Sequence, residues 1–296
     1  MHYIIFDLEW NNTYNYRKKR GFNEIIEIGA VKLDESLKVV DTFKQLIKPQ
    51  ISRRLSTRVK DLTHITMEEI DKNGIPFETA ISNFARWSKG DDNVFLSWSE
   101  SDLYVLVHNF KYFYGVASID FIKHYADAQR FSQRNIDAEN TNQISLQHCA
   151  ELLDIDFEFG TLHRALEDCY LTAECLKKTF DDEEIKKYIF DCDLDFFEKL
   201  VFKPFFIKEE VTDKFDIKNI SYNCPYCSSQ LKRVSDFRLQ NNAFSCIADC
   251  EECEKKFYVL LSVKRLYDGI KVSQNISDFK SRNNSEKEAK KEAKAE

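Results

Sequence analysis

The chain is 296 residues long, 43% hydrophobic and 31% charged, with a formal net charge of −7 and nine cysteines. That length and apolar content fill the core of one medium domain plus a small one and exclude a disordered polypeptide, while the acidic balance excludes a protein that coats nucleic acid by phosphate neutralisation alone. Asp7 and Glu9 interrupt the opening apolar run, which argues against a secretory leader or a membrane span and for a cytoplasmic protein, where closely spaced cysteines hold metal rather than disulfides.

In chain order, residues 3 to 9 read as a buried first strand, Tyr3-Ile4-Ile5-Phe6-Asp7-Leu8-Glu9. Successive strand side chains alternate faces, so Asp7 and Glu9 share one face and Leu8 takes the other. Neighbouring carboxylates repel, and burial forces a proton onto one of them. A hard divalent cation, Mg²⁺ or Mn²⁺, removes the conflict, and two such ions ~3.5–4 Å apart are the usual engine of phosphodiester hydrolysis. A strand-end pair facing solvent is the bland alternative. Leu8 offers backbone contacts, and Trp10 either flanks a terminal base or ribose or packs in the core. The segment from Asn11 to Gly21 interleaves Tyr14 and Tyr16 with Arg17, Lys18, Lys19 and Arg20. It is either a phosphate-guiding loop or an exposed hairpin tip, and Arg53, Arg54 and Arg58 are further basic candidates.

Residues 25 to 33 and 39 to 48 continue as two more strands, and helical spacing follows at 56 to 61, 66 to 71 and 76 to 89. The last of these helices puts Phe77, Ala80, Ile81, Phe84 and Trp87 on one stripe. Asn93 to Trp98 is a short buried strand leading into a helix that carries Leu103, Val105, Leu106 and Phe110. Asp102 at that helix start is either an ordinary cap or a further metal-binding carboxylate, with Glu100 as its local competitor. Ile119 to Ile122 reads as a strand, Leu146 to Leu153 as a helix, and Arg164 to Phe180 as an amphipathic helix with Leu166, Cys169, Tyr170, Ala173, Leu176 and Phe180 inward.

His163 stands five residues before Asp168. On a continuous helix that spacing turns through roughly 140°, so His163 belongs on the entering loop while Asp168 points inward from the first turns. An imidazole exchanges protons near neutral pH, which makes His163 a candidate general base; a surface or capping histidine is the alternative.

The alternation of strands and helices implies a three-layer α/β domain over residues 1–182, a mixed central sheet flanked by helices. Residues 183–217 read as an acidic, aromatic connector with a helix around 183 to 200. Residues 218–274 carry Cys224-Pro-Tyr-Cys227 and Cys250-Glu-Glu-Cys253 among short β-rich runs around 230 to 237, 243 to 248 and 256 to 265. Four thiolates so spaced fit one structural, tetrahedral Zn²⁺, and the module resembles a zinc ribbon. Metal binding contributes on the order of 10 kcal/mol to folding so small a unit. Cys246 reads as a buried strand residue, and Cys149, Cys169, Cys175 and Cys192 as small core residues. Lys232, Arg233, Arg238, Lys255, Lys256, Lys264 and Arg265, with Phe237, Phe244 and Tyr258 nearby, suit either substrate capture or a purely structural or protein-docking ribbon. Residues 275–296 read as a disordered charged tail.

Taken in order, Asp7, Glu9, Asp102, His163 and Asp168 resemble the signature of the DEDDh 3′-to-5′ exonucleases. The likeness extends over about the first 180 residues, through Glu27-Ile28-Gly29-Ala30-Val31 and through Leu62-Thr63-His64-Ile65-Thr66, where His64 replaces the family's glycine. Trp98-Ser99-x-x-Asp102 is similar to the Trp-Gly-x-x-Asp form of KapD-like and enhanced-RNAi-type exonucleases, with Ser99 in place of glycine. The resemblance implies that the α/β domain is RNase H-like and that the protein is a metal-dependent exonuclease using two Mg²⁺ or Mn²⁺. Asp7 would bind both ions, Glu9, Asp102 and Asp168 would complete their coordination, and His163 would deprotonate the attacking water. It implies single-stranded 3′ ends as partner, RNA somewhat before DNA, and nucleoside 5′-monophosphates as product. The rival reading is a catalytically silent nucleic-acid-binding or adaptor protein working through the ribbon and the basic loop.

Overall fold

β1 (His2–Asn15) is central because both of its faces are apolar where the sheet is covered. Tyr3 and Ile5 point to one side, and Ile4, Phe6 and Leu8 to the other. β2 (Arg20–Leu33) returns antiparallel to it, and β3 (Val39–Leu46) extends the meander. Three helices follow, α1 (Thr57–Thr63), α2 (Met67–Asn73) and α3 (Phe77–Trp87), the first two entered through Ser56 and Thr66, whose side chains accept hydrogen bonds from Val59 and Glu69 N–H. β4 (Asn93–Ser97) then adds parallel to β1 and runs into α4 (Ser101–Phe113). β5 (His124–Asp127) adds parallel to β4, followed by α5 (Ala128–Ile136), α6 (Leu146–Leu152), α7 (Ala165–Thr179) and α8 (Asp182–Ile185). β6 (Phe190–Asp191) closes the sheet antiparallel to β5, and α9 (Leu194–Val201) ends the unit.

The strand order is β3-β2-β1-β4-β5-β6, a mixed sheet with helices on both faces. On one face Ile4, Phe6 and Leu8 meet Phe84 of α3 and Leu106 of α4; on the other Tyr3, Ile5 and Val31 meet Phe131 of α5 and Ala173 and Leu176 of α7. This is the expected RNase H-like α/β architecture. The computed structural model describes residues 1–16, 19–136, 142–157 and 163–279. It divides the chain into two units, Met1–Val201 and Phe202–Glu296, and among the described residues no helix is long and apolar enough to cross a membrane.

Four elements differ from the sequence reading. Ile119 to Ile122 is a turn, closed by Ile122 N–H donating to the Ile119 carbonyl at 3.1 Å, with both isoleucines buried as anchors. The strand is instead β5, just downstream, and α5 after it carries too few apolar residues to announce itself. Tyr170, expected inward, is exposed. The segment 183–217, expected as a connector, is shared between the units: α9 buries Phe197 in the first core with Leu103, Leu106 and Tyr125, and Phe202 opens the second unit.

The second unit contains β7 (Phe205–Phe206), β8 (Val211–Thr212), β9 (Phe215–Asp216), β10 (Lys232–Arg233), β11 (Arg238–Gln240), β12 (Ala243–Cys250), β13 (Lys255–Leu266) and β14 (Gly269–Asp278). β12, β13 and β14 form an antiparallel meander, with β10 and β11 on β12 and β7 on β13. Phe257, Val259, Leu261 and Val263 alternate inward from β13 onto Phe244, Cys246 and Ala248 of β12. Cys246 is buried there, as its strand position suggests. β14 was not anticipated; its exposed, polar residues conceal a strand that runs past residue 275, where the charged tail was expected to begin, and residues beyond 279 lie outside those described.

Candidate active site

Asp7 and Glu9 continue the row of Tyr3 and Ile5, on the face that α7 covers. Across the ladder Asp7 stands opposite Gly29 and Glu9 opposite Glu27. A register shift between Glu9 and Trp10 leaves Ile26 as an extra residue in β2, and Asn109 of α4 accepts from Ile25 N–H and donates to the Asn23 carbonyl beside it. The N-terminus of α7 rests directly on the ladder: a Cβ on Gly29 would lie 2.3 Å from the Ala165 carbonyl carbon, so only glycine admits this approach.

Glu27 clamps that helix. Its carboxylate is wholly buried and accepts two hydrogen bonds from the Arg164 guanidinium, at 3.0 and 2.7 Å, and one from Ala165 N–H at 3.3 Å. Arg164 also reaches Glu69 of α2 at 3.1 Å. Asp168, one turn further on, is thereby held above β1, and the side-chain oxygens of Asp7, Glu9 and Asp168 come within 4.8 Å of one another. Asp102 lies outside that trio. It is 4% exposed and accepts from Leu8 N–H at 3.0 Å, yet it lines the same cleft.

Burial is the main reason all four carboxyls hold their protons more tightly than usual. Asp7 is raised well above the carboxylate range by desolvation and then by Asp102, Glu9 and Asp168; Glu9 is raised to about 9 by desolvation and then by Asp168 and Glu27. Desolvation pushes Asp102 to about 7 and Asp168 to about 6, the latter restrained by a hydrogen bond from the His163 backbone. One Asp168 oxygen, Oδ1, is buried without a hydrogen-bond partner. A concave cluster of mutually repelling oxygens with an orphaned acceptor is a fit for hard divalent cations.

The cleft has a volume of about 390 Å³ and is lined by Asp7, Leu8, Glu9, Trp10, Asp102, His163 and Asp168. His163 is outside α7, as its spacing from Asp168 implies, exposed and at φ 74° in the left-handed region. Its neighbours at 158–162 lie outside the described residues. Trp10 is half-buried, packed on the core while lining the cleft. Arg58, Leu62 and Thr63 of α1 form another wall. Asn11 braces the approach to α1, donating to the Arg54 carbonyl and accepting from Ser56 N–H, and Glu24 opposite it accepts from Gln50, Ile51 and Ser52 N–H groups.

Of the basic segment, Lys19 and Arg20 are placed elsewhere. β1 runs on to Asn15 and β2 begins at Arg20, so Lys19 and Arg20 sit at the far end of a hairpin, exposed, and do not line the cleft. Six strand residues beyond Glu9 span about 20 Å. Arg17 and Lys18 lie outside the described residues. Glu27 and Arg164 went unassigned in the sequence, although a glutamate inside Ile25-Ile26-Glu27-Ile28 signals a buried charge that must find a partner.

In the second unit Cys224, Cys227, Cys250 and Cys253 gather their sulfurs within 4.8 Å. Cys227 and Cys250 are 3.5 Å apart and Cys224 and Cys253 3.8 Å, close to the edge of about 3.8 Å that a zinc–sulfur bond near 2.3 Å requires of a tetrahedron. Hydrogen bonds from Ser229 bring the Cys227 thiol down to about 6, favouring the thiolate a metal binds.

A family profile described as Exonuclease (RNase T) matches residues 4–176. The curated protein named probable 3′-5′ exonuclease KapD, from Bacillus subtilis (strain 168), is 27% identical over 193 residues, which are 63% of this chain and 86% of that protein. The nuclease domain of 3′hExo, described as a DEDDh family member bound to rAMP, superposes with a TM-score of 0.52 at 23% identity over 60% of this chain and 90% of that one. A 3′-exonuclease described in 3′-end specific recognition of a histone mRNA stem-loop gives a TM-score of 0.51 at 21% identity, over 60% of this chain and 80% of that one. At these identities the structural likeness is one of fold.

Proposed function

The chain belongs to the RNase T exonuclease family, and from that premise we propose a 3′-to-5′ exonuclease that removes nucleoside 5′-monophosphates from single-stranded ends, RNA in preference to DNA. The observation that carries this reading is the convergence of Asp7, Glu9 and Asp168 within 4.8 Å in a cleft shared with Asp102 and His163. The name of the Bacillus subtilis relative supports the direction of attack.

Asp7, Glu9, Asp102 and Asp168 would hold two Mg²⁺ or Mn²⁺. When bound, such ions offset charge on the phosphoryl oxygens and on the departing 3′ oxygen. His163, exposed at the mouth of the cleft, takes the proton of the attacking water. Arg58 meets the phosphate of the penultimate link, and Trp10 and Leu62 flank the terminal nucleotide. Cys224, Cys227, Cys250 and Cys253 hold one structural Zn²⁺.

The test follows 5′-labelled and 3′-labelled single-stranded RNA and DNA in Mg²⁺ or Mn²⁺. Wild type is expected to release mononucleotides from the 3′ end, with RNA degraded faster. His163→Ala lowers the rate about 10²–10⁴-fold and Asp7→Asn at least as far, both without loss of fold. A metal-replete, folded wild type that leaves every strand intact would refute the reading.

A further inference from the structure

The second unit has a cleft that neither the carboxylate centre nor the cysteine cluster uses. Its volume is about 510 Å³, and Phe205, Phe206, Lys208, Lys214, Arg265 and Ile270 are among its walls. β7 lies along β13 with Phe205 opposite Arg265, and Arg265 is opposite Ile270 of β14, so these three side chains make one cross-strand row. Phe206 stands opposite Lys264, whose Nζ is 5.7 Å from the ring centroid. Phe205 and Phe206 are 56% and 38% exposed, unusual for a residue type that normally goes inside.

The basic side chains of the unit divide into those held in ion pairs and those that are not. Lys232 pairs with Glu251, Arg233 with Asp236 and Lys256 with Asp249, so much of the basic surface suggested by the sequence is neutralised internally. Among the described residues Lys208, Lys214, Lys264 and Arg265 form no ion pair, although Glu209 and Asp213 also line the cleft. Exposed rings between unneutralised cations are the two components that grip single-stranded nucleic acid: bases stack on the rings and phosphates meet the cations.

We propose that this cleft binds a single-stranded stretch of nucleic acid, with bases stacked on Phe205 and Phe206 and phosphates held by Lys208, Lys214 and Arg265. The occupant is taken to be part of a strand that the carboxylate centre shortens, and to that extent the proposal rests on the exonuclease reading. Stacking on a ring is tolerant of sequence, which suits an enzyme that must move along its substrate.

The test titrates the full chain carrying Asp7→Asn, which leaves the ligand uncut, against a fluorescently labelled oligouridylate, and separately measures hydrolysis of a dinucleotide by chains with Asp7 intact. Phe205→Ala with Phe206→Ala is expected to weaken oligonucleotide binding about tenfold and to leave dinucleotide hydrolysis unchanged. Lys208→Glu with Arg265→Glu should do the same and flatten the salt dependence, and it decides the matter if the aromatic variant does not fold. Unchanged affinity in a folded variant overturns the proposal. So does a dimer, seen by sedimentation, that the aromatic substitutions dissolve without changing oligonucleotide affinity, which would assign the face to a second copy. Binding lost through these substitutions in a chain that hydrolyses nothing would retire the exonuclease reading and leave this site standing; normal hydrolysis with unaltered binding would do the reverse.

Discussion

At the scale of single residues, the carboxylates of the cleft couple metal, pH and stability. Their folded-state proton affinities are raised, with Glu9 at about 9, Asp102 at about 7 and Asp168 at about 6. In the unfolded chain they ionise near pH 4. Between about pH 4 and 9 the native state therefore holds more protons than the unfolded one, so metal-free stability falls as pH rises through that window. Differential scanning calorimetry in chelator should show the melting temperature dropping from pH 5 to 9. Mg²⁺ or Mn²⁺ should restore it, with a larger gain at the higher pH. His64 offers a second test. It caps α1 at φ 56°, where the resembled family has glycine, and its N–H still donates to the Lys60 carbonyl. Relieving the left-handed strain, His64→Gly is expected to raise stability by about 1 kcal/mol in urea denaturation, with activity unchanged. Ser99, the other departure from glycine, likewise lies at φ 79°, where hydrogen bonds from Ser97 Oγ and Tyr125 OH to its carbonyl hold it.

At the scale of elements, the catalytic geometry depends on how α7 sits on β2. Glu27 is buried and its partner Arg164 is 22% exposed, so Glu27→Ala leaves the guanidinium with Glu69 alone and takes the acceptor from Ala165 N–H. The expected cost is about 3 kcal/mol by chemical denaturation, together with a higher metal concentration for half-maximal activity as Asp168 loses its seat. Replacing both residues with leucine should recover most of the stability and none of the metal affinity. Much of the surrounding fold was legible because its signals are local: β1 to β4, α1 to α4, α6 and α7 follow from periodicity and caps, and the shared face of Asp7 and Glu9 from alternation, whereas bringing Asp168 to them was what the family resemblance implied. The remainder depends on partners distant in sequence. His124-Tyr125-Ala126-Asp127 becomes a strand because β4 and β6 flank it, whereas the more apolar Ile119 to Ile122 anchors a turn. The apolar run around Glu27 signals that it needs a partner, but nothing in either neighbourhood says that the partner is Arg164, 137 positions away.

At the scale of the whole molecule, the chain joins a unit with an apolar core on each face of its sheet to a shorter one with a single core. The second unit leans on its thiolates, so zinc chelation should lower its own unfolding transition sharply, structural zinc being worth on the order of 10 kcal/mol. The first unit has no such dependence. Metal analysis should give one zinc per chain, lost in Cys224→Ser. A calorimetric scan of the chelated protein should lose one transition while hydrolysis of a dinucleotide in Mg²⁺ persists.

The route of the chain through the first unit has a consequence for its birth. Asp7 leaves the ribosome more than 150 positions ahead of Asp168 and the Arg164 that seats it. Until that helix emerges and docks on Gly29, a nascent polypeptide has no assembled carboxylate centre.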